Sequence, residues 1–257
     1  MLEIKNIYKT FNPGTINEKV ALNGLSLKLN EGDFVTVIGG NGAGKSTMLN
    51  AVAGVWPVDE GQIIIDGTDV TKLSEYKRAA YLGRVFQDPM TGTAATMGIE
   101  ENLALAKRRG KTRFLRSGIT KAEREEYKEL LKILNLGLED RLTSKVGLLS
   151  GGQRQALTLL MATLQKPKLL LLDEHTAALD PKTAAKVLDI TDRIVNRDHL
   201  TTLMITHNMK DAIAHGNRLI MMMNGKIILD IQGEEKKKLT VKQLLDKFEE
   251  ASGEEFS

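Results

Sequence analysis

The sequence predicts an α/β fold in which a mostly parallel sheet is combined with an antiparallel β layer and an inserted α-helical subdomain. A short continuous apolar run, such as the four leucines at 169–172, is typical of a strand buried on both faces of a parallel sheet. Alternating apolar and polar residues near the N-terminus indicate half-exposed strands. Helical spacing with many charges from 98 to about 136 indicates the inserted subdomain.

Composition describes an ordinary globular chain. The 257 residues are 42% hydrophobic and 27% charged, which suits a protein with a real core. A formal net charge of +3 gives no argument for a nucleic-acid partner, and we expect none. The absence of cysteine excludes disulfides and thiolate metal sites, so oxygen ligands would hold any metal. No apolar run approaches the roughly 20 residues of a membrane span, and the N-terminus lacks the apolar core of a signal peptide, so we expect a cytoplasmic chain.

We expect one domain over 1–257, made of four consecutive parts. The core and the antiparallel layer would occupy 1–90, the helical subdomain 91–165, the second part of the core 166–232, and a C-terminal helix or tail 233–257. In the first part, the segments "LEIKNIYKTF", "ALNGLSLKL" and "GQIIIDGTDV" predict the antiparallel layer. Between them, "DFVTVIGGNGAGKSTMLNAVAG" predicts a buried strand, a glycine-rich turn and a helix that begins near Lys45.

From residue 150 onward, helices alternate with the strands "KLLLLD" and "TTLMITH", which indicates a parallel sheet. The segment "RLIMMMNGKIILDI" predicts a hairpin, because its Asn224-Gly225 pair suits a type I′ turn. We interpret the charged tail from Gly233 as one amphipathic helix that is exposed to solvent.

The glycine-rich turn matches the nucleotide-binding pattern G-x-x-x-x-G-K-[ST]. Its glycines would let backbone N–H groups converge on phosphate oxygens, Lys45 would reach the β- and γ-phosphates, and Ser46 would offer a magnesium ligand. The strand before it and the helix after it favour nucleotide binding over a merely structural turn. The residues predicted to bind the nucleotide here are Gly39, Gly40, Asn41, Gly42, Ala43, Gly44, Lys45, Ser46 and Thr47.

Two carboxylates end the run of four leucines. Asp173 is predicted to hold Mg²⁺, because this fold needs an acid at the tip of a neighbouring buried strand. Glu174, one residue later, would polarise a water for attack on the γ-phosphate. The alternative is that both acids only end the strand and cap a helix. His207 ends the strand "TTLMITH" at the same predicted edge, where ligands bind in parallel sheets; its alternative role is a structurally satisfied imidazole.

A second glycine pair opens the helical segment "SGGQRQALTLLMATLQ". Its helix N-terminus and the Ser150 hydroxyl form another predicted anion site, in a chain with only one P-loop lysine. Two half-sites in one chain indicate that two chains come together.

The order of these motifs resembles the nucleotide-binding subunit of ATP-binding cassette (ABC) transporters. The motifs are the P-loop (39–47), "VFQD", "LSGGQ" (149–153), "LLLLDE" (169–174), "ALD" (178–180) and "ITH", and they cover nearly the whole chain. The resemblance implies that Phe11 stacks on adenine with Val20 beside it. It also implies that Gln87 senses Mg²⁺ and the γ-phosphate, and that His207 holds the γ-phosphate.

The same resemblance implies contacts between two protomers. The "SGGQ" residues would contact the ATP that is bound to the partner protomer, and Asp180 would contribute to the contact between protomers. The residues implied here are Ser150, Gly151, Gly152, Gln153 and Asp180.

The resemblance therefore implies an ATPase that dimerises around two Mg²⁺–ATP and powers a separate integral membrane permease from the cytoplasmic face. The analogy extends to bacterial importers that work with a substrate-binding protein, with an amino acid as the expected solute. Alternatives are an exporter ATPase and a soluble cassette ATPase of translation or DNA repair. A P-loop kinase or GTPase is disfavoured, because the sequence has no N-K-x-D element and those proteins have no place for "LSGGQ".

Two features depart from the commonest family pattern, and one segment keeps two interpretations. His175 replaces the usual proline or alanine after the glutamate, and "QALTLLMATL" lacks the arginines that often follow. The basic segment from Lys107 to Gly118 is either a solvated loop or a contact with a membrane partner or anionic headgroups.

Overall fold

The computed structural model describes residues 1–110 and 118–252, with side chains described up to residue 250. The strands are β1 Leu2–Phe11, β2 Lys19–Leu29, β3 Phe34–Gly39, β4 Glu60–Ile65, β5 Thr68–Asp69, β6 Leu82–Val85, β7 Leu169–Asp173, β8 Thr202–Ile205, β9 Arg218–Met223 and β10 Lys226–Gln232. The helices are α1 Lys45–Ala53, α2 Glu75–Arg78, α3 Ile99–Lys107, α4 Lys121–Lys132, α5 Gly151–Thr163, α6 Pro181–Asp198, α7 Met209–Ala214, α8 Gly233–Lys237 and α9 Val241–Ser252, with a 3-10 turn at Val146–Leu148.

The central sheet has the order β10-β9-β3-β8-β7-β6, and its strands from β9 to β6 pair in parallel. Its leucine-rich strand β7 is buried on both faces. Leu169 and Leu171 pack into one hydrophobic cluster, whereas Leu170 and Leu172 pack into another. Because alternate residues of a strand point to opposite faces, two cores require an apolar residue at every position.

The predicted antiparallel layer is present, and its strands have the order β2-β1-β4-β5. Its inward-facing residues, including Leu2, Ile4 and Ile63, join the same cluster as Met48 and Leu49 of α1. The layer therefore packs over the helix that follows the glycine-rich turn. The hairpin of β9 and β10 is also confirmed, with positive φ at Asn224 (49°) and Gly225 (73°), as a type I′ turn requires.

The helical subdomain comprises α3, α4 and the start of α5. Helix α4 begins with a capping box, in which Thr120 Oγ1 accepts from the Glu123 backbone N–H. It buries Tyr127 and Leu131 against α3 and α5. The predicted α/β architecture, with a parallel core, an antiparallel layer and an inserted helical subdomain, is confirmed.

The C-terminal tail differs from the prediction of one solvated helix. It forms two helices, α8 and α9, and each buries a side chain, Lys236 in α8 and Leu244 in α9. Leu239 and Leu244 pack with Ile38 and Ala212 in a third hydrophobic cluster. The apolar face of the amphipathic helix α9 thus packs against β10 and α7, which removes its apolar side chains from water.

None of the helices in the described part of the chain combines the length and the apolar character that a membrane-spanning helix requires.

Candidate functional site

The glycine-rich turn lies between the end of β3 at Gly39 and the start of α1 at Lys45. Its backbone permits only glycine at two points of close approach. A Cβ on Gly39 would lie 2.3 Å from the Met222 carbonyl oxygen, and one on Gly44 would lie 2.5 Å from the Ala21 carbonyl oxygen. No side chain caps the first turn of α1, so its N–H groups and the positive end of its dipole are available for an anion.

Lys45 is the buried cation of this loop. Its side chain is only 5% exposed, and Nζ donates to the carbonyl oxygens of Gly39 (2.8 Å) and Gly40 (3.0 Å). Burial lowers the pKa of the Lys45 ammonium, while the carboxylates of Glu174 and Asp173 oppose that shift. The fold therefore brings this lysine into the electrostatic field of both acids.

Asp173 is the last residue of β7, where its parallel neighbour β8 also ends. In the sheet register Asp173 lies opposite Ile205, which in turn lies opposite Val37 of β3. Burial raises the pKa of the Asp173 carboxyl, and the Arg84 guanidinium and the Lys45 ammonium oppose that shift. The three predicted strands thus deliver their polar ends to one edge.

Glu174 lies just past that edge in a left-handed conformation, with φ of 48°. Its N–H donates to the Ile205 carbonyl (3.0 Å), and its own carbonyl accepts from the Ala177 N–H (2.9 Å). Its side chain meets His207, whose Nε2 lies 2.5 Å from Glu174 Oε1. A non-glycine residue in this region carries strain that such bonds must hold in place.

The oxygen donors of the site fit magnesium. Ser46 at the start of α1 and Gln87 after β6 both have exposed side chains, and Asp173 adds a carboxylate. Within the described residues no group of three or more His, Cys, Asp or Glu side chains could hold a metal by itself. A hydroxyl, an amide oxygen and one carboxylate are hard oxygen ligands, which suit Mg²⁺, an ion that keeps waters and binds substrate phosphates together with one or two protein oxygens.

The predicted base platform lies at the edge of the antiparallel layer. Phe11 pairs with Lys19 across β1 and β2, and its ring meets Trp56 edge to face at a centroid distance of 5.0 Å. Val20, which is 50% exposed, follows Lys19 on β2. The built position of a Cβ on Gly42 is 3.2 Å from Lys19 Nζ, so this edge adjoins the P-loop.

The "SGGQ" residues lie at the start of α5. Ser150 caps this helix: its hydroxyl accepts from the Gln153 N–H (3.3 Å), and Gln153 Oε1 accepts from the Ser150 N–H (3.1 Å). A Cβ on Gly152 would lie 2.2 Å from Thr183 Cγ2, so glycine is needed where α5 approaches α6. Asp180 caps α6 by accepting from the Thr183 N–H (3.1 Å).

No hydrogen bond or ion pair among residues 1–110 and 118–252 joins Ser150 or its motif neighbours, including Gly151, to the P-loop. The structure thus brings Lys45, Asp173, Glu174 and His207 together, and it leaves the "SGGQ" group as a separate helix start.

Sequence reasoning missed Arg84, Asn50 and Trp56. Arg84 Nη2 lies 3.6 Å from Asp173 Oδ2 and donates to Asn50 Oδ1 at 2.7 Å. A lone cation inside the apolar segment "LGRVF" was the available signal, and Trp56 is the single tryptophan of the chain.

The two departures from the family pattern both involve buried residues with polar partners inside the fold. His175 is 2% exposed, and its Nε2 lies 3.1 Å from Thr191 Oγ1. Gln155, in "QALTLLMATL", is fully buried and donates to the Phe86 carbonyl (3.1 Å). Most of the basic segment, residues 111–117, lies outside the described residues.

Comparisons with known proteins agree with this geometry. A family model described as ABC transporter matches residues 22–177. The tyrosine transport ATP-binding protein of Clostridioides difficile (strain R20291) is 47% identical over 256 residues, which are 98% of this chain and 100% of that protein. The spermidine/putrescine import ATP-binding protein PotA of Haemophilus influenzae (strain ATCC 51907 / DSM 11121 / KW20 / Rd) is 33% identical over 232 residues, 90% of this chain and 57% of PotA.

Solved structures of similar fold include a dimeric post-hydrolysis state of the ATP-binding cassette MJ0796 bound to ADP and Pi. It has a TM-score of 0.76 and 30% identity, and the match covers 90% of this chain and 98% of that one. The ADP conformation of MJ1267, an ATP-binding cassette of an ABC transporter, matches with a TM-score of 0.78 and 28% identity over 96% of this chain and 98% of that one. The family model spans more than half of the residues and the first relative spans nearly all of them, so this chain belongs to the ATP-binding, ATP-hydrolysing proteins of the ABC transporter family.

Proposed function

We propose that this chain is the ATPase subunit of a bacterial importer, that it dimerises around two Mg²⁺–ATP, and that it drives a separate membrane permease from the cytoplasmic face. The observation that carries the proposal is the division of the nucleotide-binding groups. The P-loop, the acids and His207 form one half-site, and the capped helix start at Ser150 forms another. A second copy supplies the missing half, because each anion site then meets a phosphate.

In the proposed mechanism the P-loop N–H groups and Lys45 bind the β- and γ-phosphates. Ser46, Gln87 and Asp173 would hold Mg²⁺, which would supply positive charge to neutralise the phosphates. Glu174 orients the attacking water and accepts its proton. His207 Nε2 lies within hydrogen-bond distance of Glu174 and restrains that carboxylate. Once ATP is bound, the imidazole N–H would instead donate to the γ-phosphate.

Phe11 stacks on the adenine, and Val20 lies beside it. An aromatic face recognises every base, so this contact contributes affinity more than selectivity. Ser150, Gly151, Gly152 and Gln153 of the second copy then close over the γ-phosphate, and Asp180 lies between the two protomers.

The cleft between the core and the helical subdomain is the proposed docking position of the permease. This cavity, about 270 Å³ in volume, is lined by apolar and charged groups that include Phe86, Met161, Glu75 and Arg109. An amino acid, of aromatic type, is the proposed solute, because the relative that matches over its full length is named for tyrosine transport. A substrate-binding protein would deliver that solute to the permease.

Light scattering tests the shared site. A Glu174→Gln protein at micromolar concentration should double its mass with Mg²⁺–ATP and stay monomeric with Mg²⁺–ADP, because Ser150 can meet only a γ-phosphate. The matched variant adds Ser150→Asp, which keeps an N-cap oxygen but places a negative charge against the phosphate. That variant should fold normally and stay monomeric with ATP. Equal masses with ATP and ADP would remove the shared-site proposal.

The transport role is tested by isolating the chain under gentle detergent conditions and identifying the membrane protein that accompanies it. Uptake of labelled tyrosine, methionine and spermidine is then measured in vesicles that contain the complex. ATP-dependent uptake of tyrosine supports the proposal. Uptake of another solute changes only the substrate, whereas association with ribosomes or DNA favours a soluble, non-transport ATPase.

A further inference from the structure

Arg84 occupies an unusual position at the centre of edge strand β6. Its side chain is 14% exposed, and its guanidinium lies 4.5 Å from the centre of the Phe86 ring. Nε is buried and has no hydrogen-bond partner among the described residues. Burial lowers the pKa of the Arg84 guanidinium, which shows that the charged form is disfavoured there. The polar contacts of Arg84 must therefore offset the cost of burying its charge.

The two polar contacts of Arg84 differ in quality. The bond from Nη2 to Asn50 Oδ1 is 2.7 Å long, which is the length of a strong hydrogen bond. The distance from Nη2 to Asp173 Oδ2 is 3.6 Å, which describes a loose ion pair. The guanidinium is therefore anchored on Asn50 and directed at Asp173, and the carboxylate keeps oxygen lone pairs for another ligand.

These contacts connect the elements that carry the proposed magnesium ligands. Asn50 follows Ser46 by four residues on α1, so the two lie one turn apart on the same face of the helix. Asp173 ends β7, the strand paired with β6. Gln87 follows Arg84 by three residues along the chain.

We propose that Arg84 is a positioning residue for the magnesium site: anchored by Asn50, it holds the Asp173 carboxylate in place relative to Ser46. The inference rests on the proposed metal role of Asp173. Groups that orient a metal ligand from behind typically contribute roughly 10- to 100-fold in metal affinity or activity. Arg84 itself touches neither the phosphates nor the metal in this role.

The test measures metal binding without turnover. Mn²⁺ is titrated by electron paramagnetic resonance into the full chain with a non-hydrolysable ATP analogue, and the affinity for the analogue is measured separately in EDTA. Arg84→Met should weaken Mn²⁺ binding roughly 10- to 100-fold and leave the affinity in EDTA unchanged. Arg84→Lys should restore part of the loss, because its ammonium keeps the charge but lacks the planar fork. Arg193→Met, which breaks an exposed ion pair with Asp189 on α6, is the control and should bind Mn²⁺ normally.

Asn50→Ala provides a second path to the same answer. It should weaken Mn²⁺ binding in the same direction, and the double variant with Arg84→Met should be no weaker than Arg84→Met alone. Unchanged Mn²⁺ affinity in Arg84→Met would overturn the inference, and tighter binding would identify Arg84 as a competing cation instead. Asp173→Asn distinguishes a failure of the proposed metal role of Asp173 from a failure of the positioning role of Arg84. If it leaves Mn²⁺ binding intact, the metal role of Asp173 fails. If it weakens binding and Arg84→Met does not, only the role of Arg84 fails.

Discussion

His207 Nε2 lies 2.5 Å from Glu174 Oε1, and this contact joins the ends of two neighbouring parallel strands. The carboxylate of Glu174 is 11% exposed and the imidazole is 46% exposed, so the acid lies inside and the imidazole covers it. A contact this close restrains the carboxylate against the imidazole. General-base catalysis needs such a restraint, because the proton must pass within hydrogen-bond distance.

Glu174→Gln should therefore abolish most turnover and preserve ATP binding. The amide keeps the size of the side chain but cannot accept the proton of the attacking water, so the rate should fall by roughly 10² to 10⁴. Single-turnover hydrolysis and a fluorescence titration of ATP measure the two effects separately. The exposed Glu129→Gln, which affects only a surface ion pair with Lys132, is the matched control. Hydrolysis near the parental rate would show that Glu174 is only a strand-end acid.

Asp173→Asn should fail in a different way. Mg²⁺-dependent ATP affinity and hydrolysis should fall together, since the metal both neutralises the phosphates and aligns them for attack. The measurement is ATP affinity with Mg²⁺ and with EDTA. Weaker binding in Mg²⁺ only is expected, whereas an equal loss in both conditions would indicate a damaged fold.

The sequence predicted the architecture because the signals of this fold are local. The four leucines at 169–172 predicted a strand buried on two faces, and the structure assigns alternate leucines to two separate cores. The glycine-rich turn was equally readable, because its close approaches to Met222 and Ala21 exclude a Cβ. Such features can be predicted from the sequence because each is specified by a few consecutive residues.

The features that the sequence did not predict depend on contacts between distant residues. Arg84 meets Asn50 and Asp173, which lie 34 and 89 positions away along the chain. Strand β6 has only four residues, so the alternation of its apolar and polar residues is too short to predict a strand. The tail was interpreted as solvated because its charges dominate its composition, yet Leu244 and Lys236 are buried by elements that no local pattern identifies.

Phe11→Ala should weaken ATP binding about tenfold or more, because base–aromatic stacking contributes roughly 1 to 3 kcal/mol. GTP should bind measurably, since a stacking face carries no hydrogen-bond code. Phe11→Tyr keeps the ring and should bind ATP like the parent in a direct titration. Unchanged affinity in Phe11→Ala would place the base elsewhere and leave Phe11 as a structural partner of Trp56.

Lys236 offers a prediction about pH and stability. Its side chain is 2% exposed, and Nζ donates to the carbonyl oxygens of His215 and Gly216 and lies 3.4 Å from Thr36 Oγ1. Burial lowers the pKa of this ammonium from 10.5 to about 8, with the Asp192 carboxylate opposing the shift. Between these two pH values the unfolded chain binds the proton and the folded chain does not.

The free energy of unfolding should therefore rise with pH in that window relative to a Lys236→Met protein, by at most about 3 kcal/mol. The relative gain should be complete above pH 10.5 and lost as the pH falls through about 8. Urea unfolding of both proteins across this range measures it, and the difference between them cancels all other titrations.

The neighbouring Lys237 is the control with opposite sign, because its exposed ion pair with Glu234 raises its pKa. The ion pair of Lys237 should stop stabilising the fold at high pH, where the ammonium loses its proton. The small loss of stability in Lys237→Met should therefore disappear there. A difference between the parent and Lys236→Met that does not change with pH would mean that Lys236 stays protonated in the folded chain, with its carbonyl partners compensating fully for burial.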